Sequence, residues 1–96
     1  MIIDCGSFLL NSDQVVRFFI EPEMDYQRDN GCLKANETGR FAVKADINDG
    51  ADIEMAIYDS RQDAEKAMAE LLDAFADCWE VFTMPEAGGK DDGQTD

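Results

Sequence analysis

An α+β domain, an antiparallel β-meander of about four strands with one C-terminal α-helix packed on one face, is what three features of the sequence predict. Runs rich in β-branched and aromatic residues fill much of the first sixty positions. Two of these runs alternate apolar and polar residues around a Gly-containing turn. The last third carries apolar residues at spacings of three and four. Strands followed by a helix place that helix over one face of the sheet. A chain of 96 residues suits a single domain, expected over residues 1–84, with residues 85–96 as a disordered acidic tail.

Taken in order, Met1-Ile2-Ile3 and Phe8-Leu9-Leu10 are short apolar runs set apart by Gly6. Val15-Val16-Arg17-Phe18-Phe19-Ile20-Glu21 reads as a strand closed by Pro22. Met24 to Gly39 has no period; with Asp29-Asn30-Gly31 as its turn signal, it is expected to form a loop or irregular hairpin. Phe41, Val43, Ala45 and Ile47 alternate with Ala42, Lys44, Asp46 and Asn48. Beyond the turn at Asn48-Asp49-Gly50-Ala51-Asp52, Ile53, Met55 and Ile57 alternate with Glu54, Ala56 and Tyr58. That is the pattern of an antiparallel hairpin. Its other face is expected to carry Arg17, Lys44, Glu54 and Tyr58. Ser60 caps a helix, with Asp63 at the capping-box position. The apolar stripe of that helix (Ala64, Ala67, Met68, Leu71, Phe75, Cys78 and Phe82, joined by Leu72 and Trp79) is expected to continue until Pro85 and Gly88-Gly89.

Charge narrows the function. There are 22 acidic residues against 8 basic ones and no histidine, a formal net charge of −14. Fifteen of the acids but only three of the bases lie in residues 46–96. A direct grip on nucleic acid is not expected, because binding phosphates takes Lys and Arg to displace counterions. Anionic membrane surfaces repel such a chain for the same reason. The start lacks a basic segment followed by a long apolar one, and no run approaches the ~18 apolar residues of a membrane span. The expected location is the cytosol of a host cell.

The same reading excludes most chemistries. Cys5, Cys32 and Cys78 are odd in number and widely spaced, which argues against a disulfide framework. Without histidine or a CxxC pair, neither a metal site nor a cofactor is expected. Cys78, on the helical stripe, is expected in the core. Asp46-x-Asn48-x-Gly50 begins like a calcium loop, yet that loop needs Gly at its sixth position and Glu at its twelfth. Here it reads as a hairpin turn. No phosphate-binding loop or nucleophile elbow is present, so no catalytic residue is assigned and the protein is read as non-enzymatic.

One constellation stands above this background. Glu70, Asp73, Asp77 and Glu80, at positions i, i+3, i+7 and i+10, are expected to line the side of the helix away from the core over about 15 Å, at ~1.5 Å of rise per residue. Only Lys66 shares their row. Negative charge in the second half of a helix opposes the macrodipole, at about 0.3–1 kcal/mol each. Such a row keeps a small protein soluble; it also offers a basic partner an anionic surface spaced somewhat like nucleic-acid phosphates. The β-hairpin acids Asp46, Asp49, Asp52 and Glu54 are the next candidates for partner binding.

Met1-Ile2-Ile3, Val15 to Ile20, and Ile57-Tyr58-Asp59-Ser60 leading into a helix with Ala64, Ala67 and Leu71 together resemble small meander-plus-helix proteins of unknown function from bacteriophages and other bacterial mobile elements. The resemblance covers roughly residues 1–82, rests on fold-making residues and transfers no active site. The stretch 22–39 is longer than that pattern, and the acidic tail is extra. In size, charge and architecture the chain is also similar to small acidic phage inhibitors of host defence nucleases, the anti-CRISPR proteins among them. That similarity implies an inhibitor seated on the basic, nucleic-acid-binding surface of a host protein, a CRISPR nuclease or another nucleic-acid-binding protein. The alternative is an accessory or structural protein of a mobile element, forming a homodimer through a strand edge or the second sheet face.

Overall fold

The computed structural model describes residues 1–86. Along the chain come β1 (Ile2–Asp4), β2 (Leu9–Asn11), β3 (Val15–Asp29), β4 (Cys32–Ile47), β5 (Asp52–Tyr58), α1 (Arg61–Ala76) and β6 (Val81–Thr83), an α+β fold. β3, β4 and β5 pair antiparallel in chain order, as a meander should. The short N-terminal runs and the segment after the helix build a second sheet, ordered β2-β1-β6, with β1 antiparallel to β2 and parallel to β6. Among the described residues there are thus six strands in two sheets beside one helix.

Asn30 and Gly31 have φ of 52° and 79°. Two consecutive left-handed residues make the type I′ turn that matches strand twist in a two-residue hairpin. From it β3 and β4 pair from Asp29↔Cys32 back to Val15↔Ile47. Of the two forms expected over 24–39, a loop or an irregular hairpin, the hairpin is the one that forms, a two-stranded ribbon every residue of which is exposed. The strand does not close at Pro22. β3 is an edge strand, where a residue without an N–H is tolerated, and a register shift follows between Pro22 and Met24. At that shift the Glu23 carboxylate accepts bonds from the Thr38 hydroxyl (2.8 Å) and Arg40 Nε (2.9 Å). The Thr38 bond, then the bond and charge of Arg40, hold Glu23 below the usual glutamate range against the opposing effect of burial.

A further shift lies between Val43 and Lys44, which pair with Ala56 and Glu54, so that Met55 is an extra residue in β5. A bulge of one residue reverses the alternation beyond it. Ala56 and Tyr58 consequently face inward with Ile53, while Ile57 pairs with Ala42 on the other face. Tyr58, expected on the outer face, is 2% exposed, and its hydroxyl donates to the Pro85 carbonyl at 2.8 Å. Its inward turn is the correction that the bulge imposes.

A single core joins the parts. Ile3, Leu10 and Phe82 enter it from the small sheet, Val43, Ala45, Met55 and Tyr58 from the large one, and Ala64, Ala67, Leu71 and Ala74 from α1. Three alanines on that helical face let α1 lie close against β4 and β5. Ser60 caps the helix as its sequence implies, Oγ accepting from the Asp63 N–H at 3.1 Å. The other end differs from expectation: α1 stops at Ala76. Cys78 sits at φ 60°, its N–H donating to Phe75 O (3.2 Å), and Trp79 N–H donates to Ala74 O (3.1 Å). These are the two bonds of a Schellman cap, with cysteine where glycine is usual.

Four residues of the expected stripe fall outside the core. Leu72, Phe75, Cys78 and Trp79 are exposed, and Phe82 reaches the core from β6 rather than from the helix. Met84 is buried and Pro85 is held by Tyr58; the expected acidic tail from residue 87 onward lies outside the described residues. Among the described residues no helix is long and apolar enough to cross a membrane.

Candidate functional site

The helix started by Ser60 carries Glu70 and Asp73 on its exposed side, and Asp77 is its C-cap residue. Glu80 lies on the link into β6, where its carbonyl accepts from the Ile2 N–H at 2.8 Å. The expected four-member row is corrected accordingly. Glu70, Asp73 and Asp77 keep helical spacing; Glu80 follows the reversal at Cys78. All four are exposed, and among the described residues none of their carboxylates meets a Lys or Arg. Residues 67–89 hold five acids and no base at all. No basic residue occupies the last turn of α1, so the negative end of the macrodipole adds to these charges instead of being offset. Tyr58 is pushed up to about 12, by burial first and by the Glu70 carboxylate and Cys5 after it.

The same end of the helix exposes apolar groups. Leu72, Phe75, Trp79 and Val81 are 47–57% exposed. Leu72 and Phe75 lie one turn apart on the shoulder of the core-facing stripe. Trp79 is folded back by its bond to Ala74 and tilts against Phe82 at 6.1 Å between ring centroids. By spacing alone the first three belong to the buried stripe, so sequence reasoning misses them as surface. The available signal is the β-forming run Val81-Phe82-Thr83, which cannot continue a helix comfortably. Apolar side chains exposed in the same segment as uncompensated acids offer two kinds of contact, one apolar and one for cations.

The hairpin acids sit elsewhere, on the sheet face opposite α1 and on its turn, so the two candidate groups do not converge. They are also partly neutralised. Asp46 pairs with Arg17, whose guanidinium covers the Phe19 ring at 4.6 Å. Lys44 Nζ lies 2.9 Å from Glu21 and 4.0 Å from Asp52. The Glu21 hydrogen bond is the main reason the Lys44 pKa is raised; Asp52 and Glu54 add their charges, and burial opposes. Asp49 is occupied in the turn, accepting from the Ala51 N–H at 3.0 Å, and Glu54 stands opposite Lys44.

Cys5 is pushed up to about 11 by burial and then by Asp4, which keeps it a protonated thiol near neutral pH. Among the described residues, no three His, Cys, Asp or Glu side chains converge as metal ligands would. Comparison with protein-family models, with curated proteins and with solved structures finds no match to this chain.

Proposed function

We propose that this protein is a non-enzymatic binding protein, an inhibitor of the anti-CRISPR kind acting in a host-cell cytosol. Its α1–β6 end docks on the basic, nucleic-acid-binding surface of a host defence protein such as a CRISPR nuclease. The observation that carries this reading is that Glu70, Asp73, Asp77 and Glu80 are exposed with no Lys or Arg partner among the described residues, in a segment that also exposes Leu72, Phe75, Trp79 and Val81. The acids steer and select a cationic partner. The aromatic and aliphatic groups supply the desolvated contact that charge alone does not. Of the hairpin acids, Asp46 and Asp52 are already engaged by Arg17 and Lys44 and Asp49 is held in its turn, so this group contributes less.

The test is reversal of Glu70, Asp73, Asp77 and Glu80 to Lys, which takes the net charge from −14 to about −6. Cations at a helix C-terminus are favoured, so circular dichroism should show an intact fold. Immobilised wild-type protein should capture nucleic-acid-binding proteins from a bacterial lysate at low salt, release them on a salt gradient, and lose them to added nucleic acid. The reversed variant should capture none of these proteins. Capture that survives the reversal, or that nucleic acid does not displace, removes this surface from the reading.

A further inference from the structure

Residues 24–37 stand away from the body as a two-stranded ribbon that no other described residue buries. The consequence for shape is large: a longest extent of 51 Å and a radius of gyration of 15.1 Å, against about 12 Å for a compact chain of this size. A lone two-stranded hairpin is marginally stable in water. Register sorts its side chains onto two unlike faces. One is mostly polar and partly paired within itself, Lys34 with Asp29 at 3.1 Å and Gln27 donating to Asp25. The other holds Met24, Tyr26 and Arg28 from β3 beside Glu37, Ala35 and Leu33 from β4. Tyr26 and Leu33 on this face are 62% and 63% exposed.

We propose that this apolar face is a self-association surface, covered by the same face of a second copy lying antiparallel across a two-fold axis. Its charges favour that occupant over others. Arg28 stands at the tip end and Glu37 at the body end, and neither has an ion-pair partner among the described residues. A two-fold that runs the ribbons antiparallel brings Arg28 of each copy beside Glu37 of the other, twice, over a centre of Tyr26, Leu33 and Ala35. A uniformly basic or acidic partner would meet one matching and one opposing charge. The ribbon is also where the molecule repels itself least: residues 24–37 hold three acids and two bases, whereas the rest of residues 1–86 holds sixteen and five. Six side chains per copy make a small interface, so the dimer is weak and concentration-dependent.

Sedimentation equilibrium of the full chain in about 0.15 M salt, where the Debye length of ~8 Å screens body from body, tests this directly. Wild type should pass from monomer to dimer as concentration rises. Arg28→Glu and Glu37→Arg should each weaken the dimer by about tenfold or more, since each places two like-charge pairs across the interface. Mixed in equal amounts, the two variants should form a heterodimer at least as readily as wild type dimerises, because both pairs are then restored. Leu33→Asp should abolish association in every mixture. A wild type that stays monomeric to millimolar concentration, or a mixture that fails to associate, overturns the proposal. Dimerisation that persists in Leu33→Asp would assign association to another surface and overturn it equally. The α1–β6 surface is not involved, so the quadruple Lys variant should still dimerise, and the two proposals fail separately.

Discussion

Cys78 shows how the backbone of one residue sets the limit of an element. A non-glycine residue in the left-handed region costs about 1–2 kcal/mol, and here the cost is met because two capping bonds need that conformation. Glycine adopts it freely. Cys78→Gly is therefore expected to raise stability by about 1 kcal/mol, read as a higher urea midpoint at unchanged slope. A lower midpoint would mean that the exposed thiol makes contacts of its own. The contrast with Ser60 explains what the sequence can say at this scale. A serine three residues ahead of an acid announces a helix start, because capping there is local side-chain chemistry. A cysteine announces no stop, so Trp79 and Phe82 pass for the next turns of the stripe.

At the scale of elements, burial decides which positions matter. Leu71 is fully buried between α1 and the sheets, whereas Phe75 is half in solvent. Leu71→Ala should cost about 2–5 kcal/mol through the cavity it leaves. Phe75→Ala should cost under about 1 kcal/mol. Chemical denaturation of both variants checks the rotation of the helix, and the reverse order would place Phe75 in the core. The β4–β5 hairpin was legible because one of its faces is buried, which imprints alternation on Phe41 to Ile47. The ribbon was legible only as an irregular hairpin or a loop: with both faces in water its apolar residues show little contrast, and only Asn30-Gly31 marks it. The bulge at Met55 leaves no trace either, since one added residue changes the phase of a strand without changing its composition.

For the molecule as a whole, Tyr58 ties the large sheet to the segment that follows β6. Its phenol is pushed up from 10 to about 12. Folding favours the neutral form, so the stability Tyr58 contributes is complete below pH 10 and is lost as pH rises from 10 toward 12. Tyr58→Phe should lose about 1 kcal/mol at neutral pH with the Pro85 bond. It should also decline less steeply across that alkaline window, as urea midpoints at a series of pH values would show. An equally steep decline would place the alkaline loss on other groups. The α+β class and the helix over one sheet face were readable from the order of patterns. The second sheet was not, because Ile2 pairs with Val81 from the far end of the described chain, and pairing so distant leaves no local periodicity. Of the candidate site, the acids were visible as an excess of charge. Their apolar companions were hidden, because a hydrophobic residue at helical spacing reads as core wherever the helix is taken to continue.

The parallel pairing of β1 with β6 also has a mechanical meaning. The chain enters the small sheet through β1 and leaves it through β6, as adjacent strands pointing the same way. Tension applied between residues 1 and 86 drags these two strands past each other along their length. Their ladder, extended by Ile2 N–H to Glu80 O and Met84 N–H to Asp4 O at 2.8 and 2.9 Å, is then loaded all at once. A hairpin pulled open from its ends would peel bond by bond. The shortest strands in the molecule are its clasp, and the long meander behind them feels no stretching force until that clasp shears.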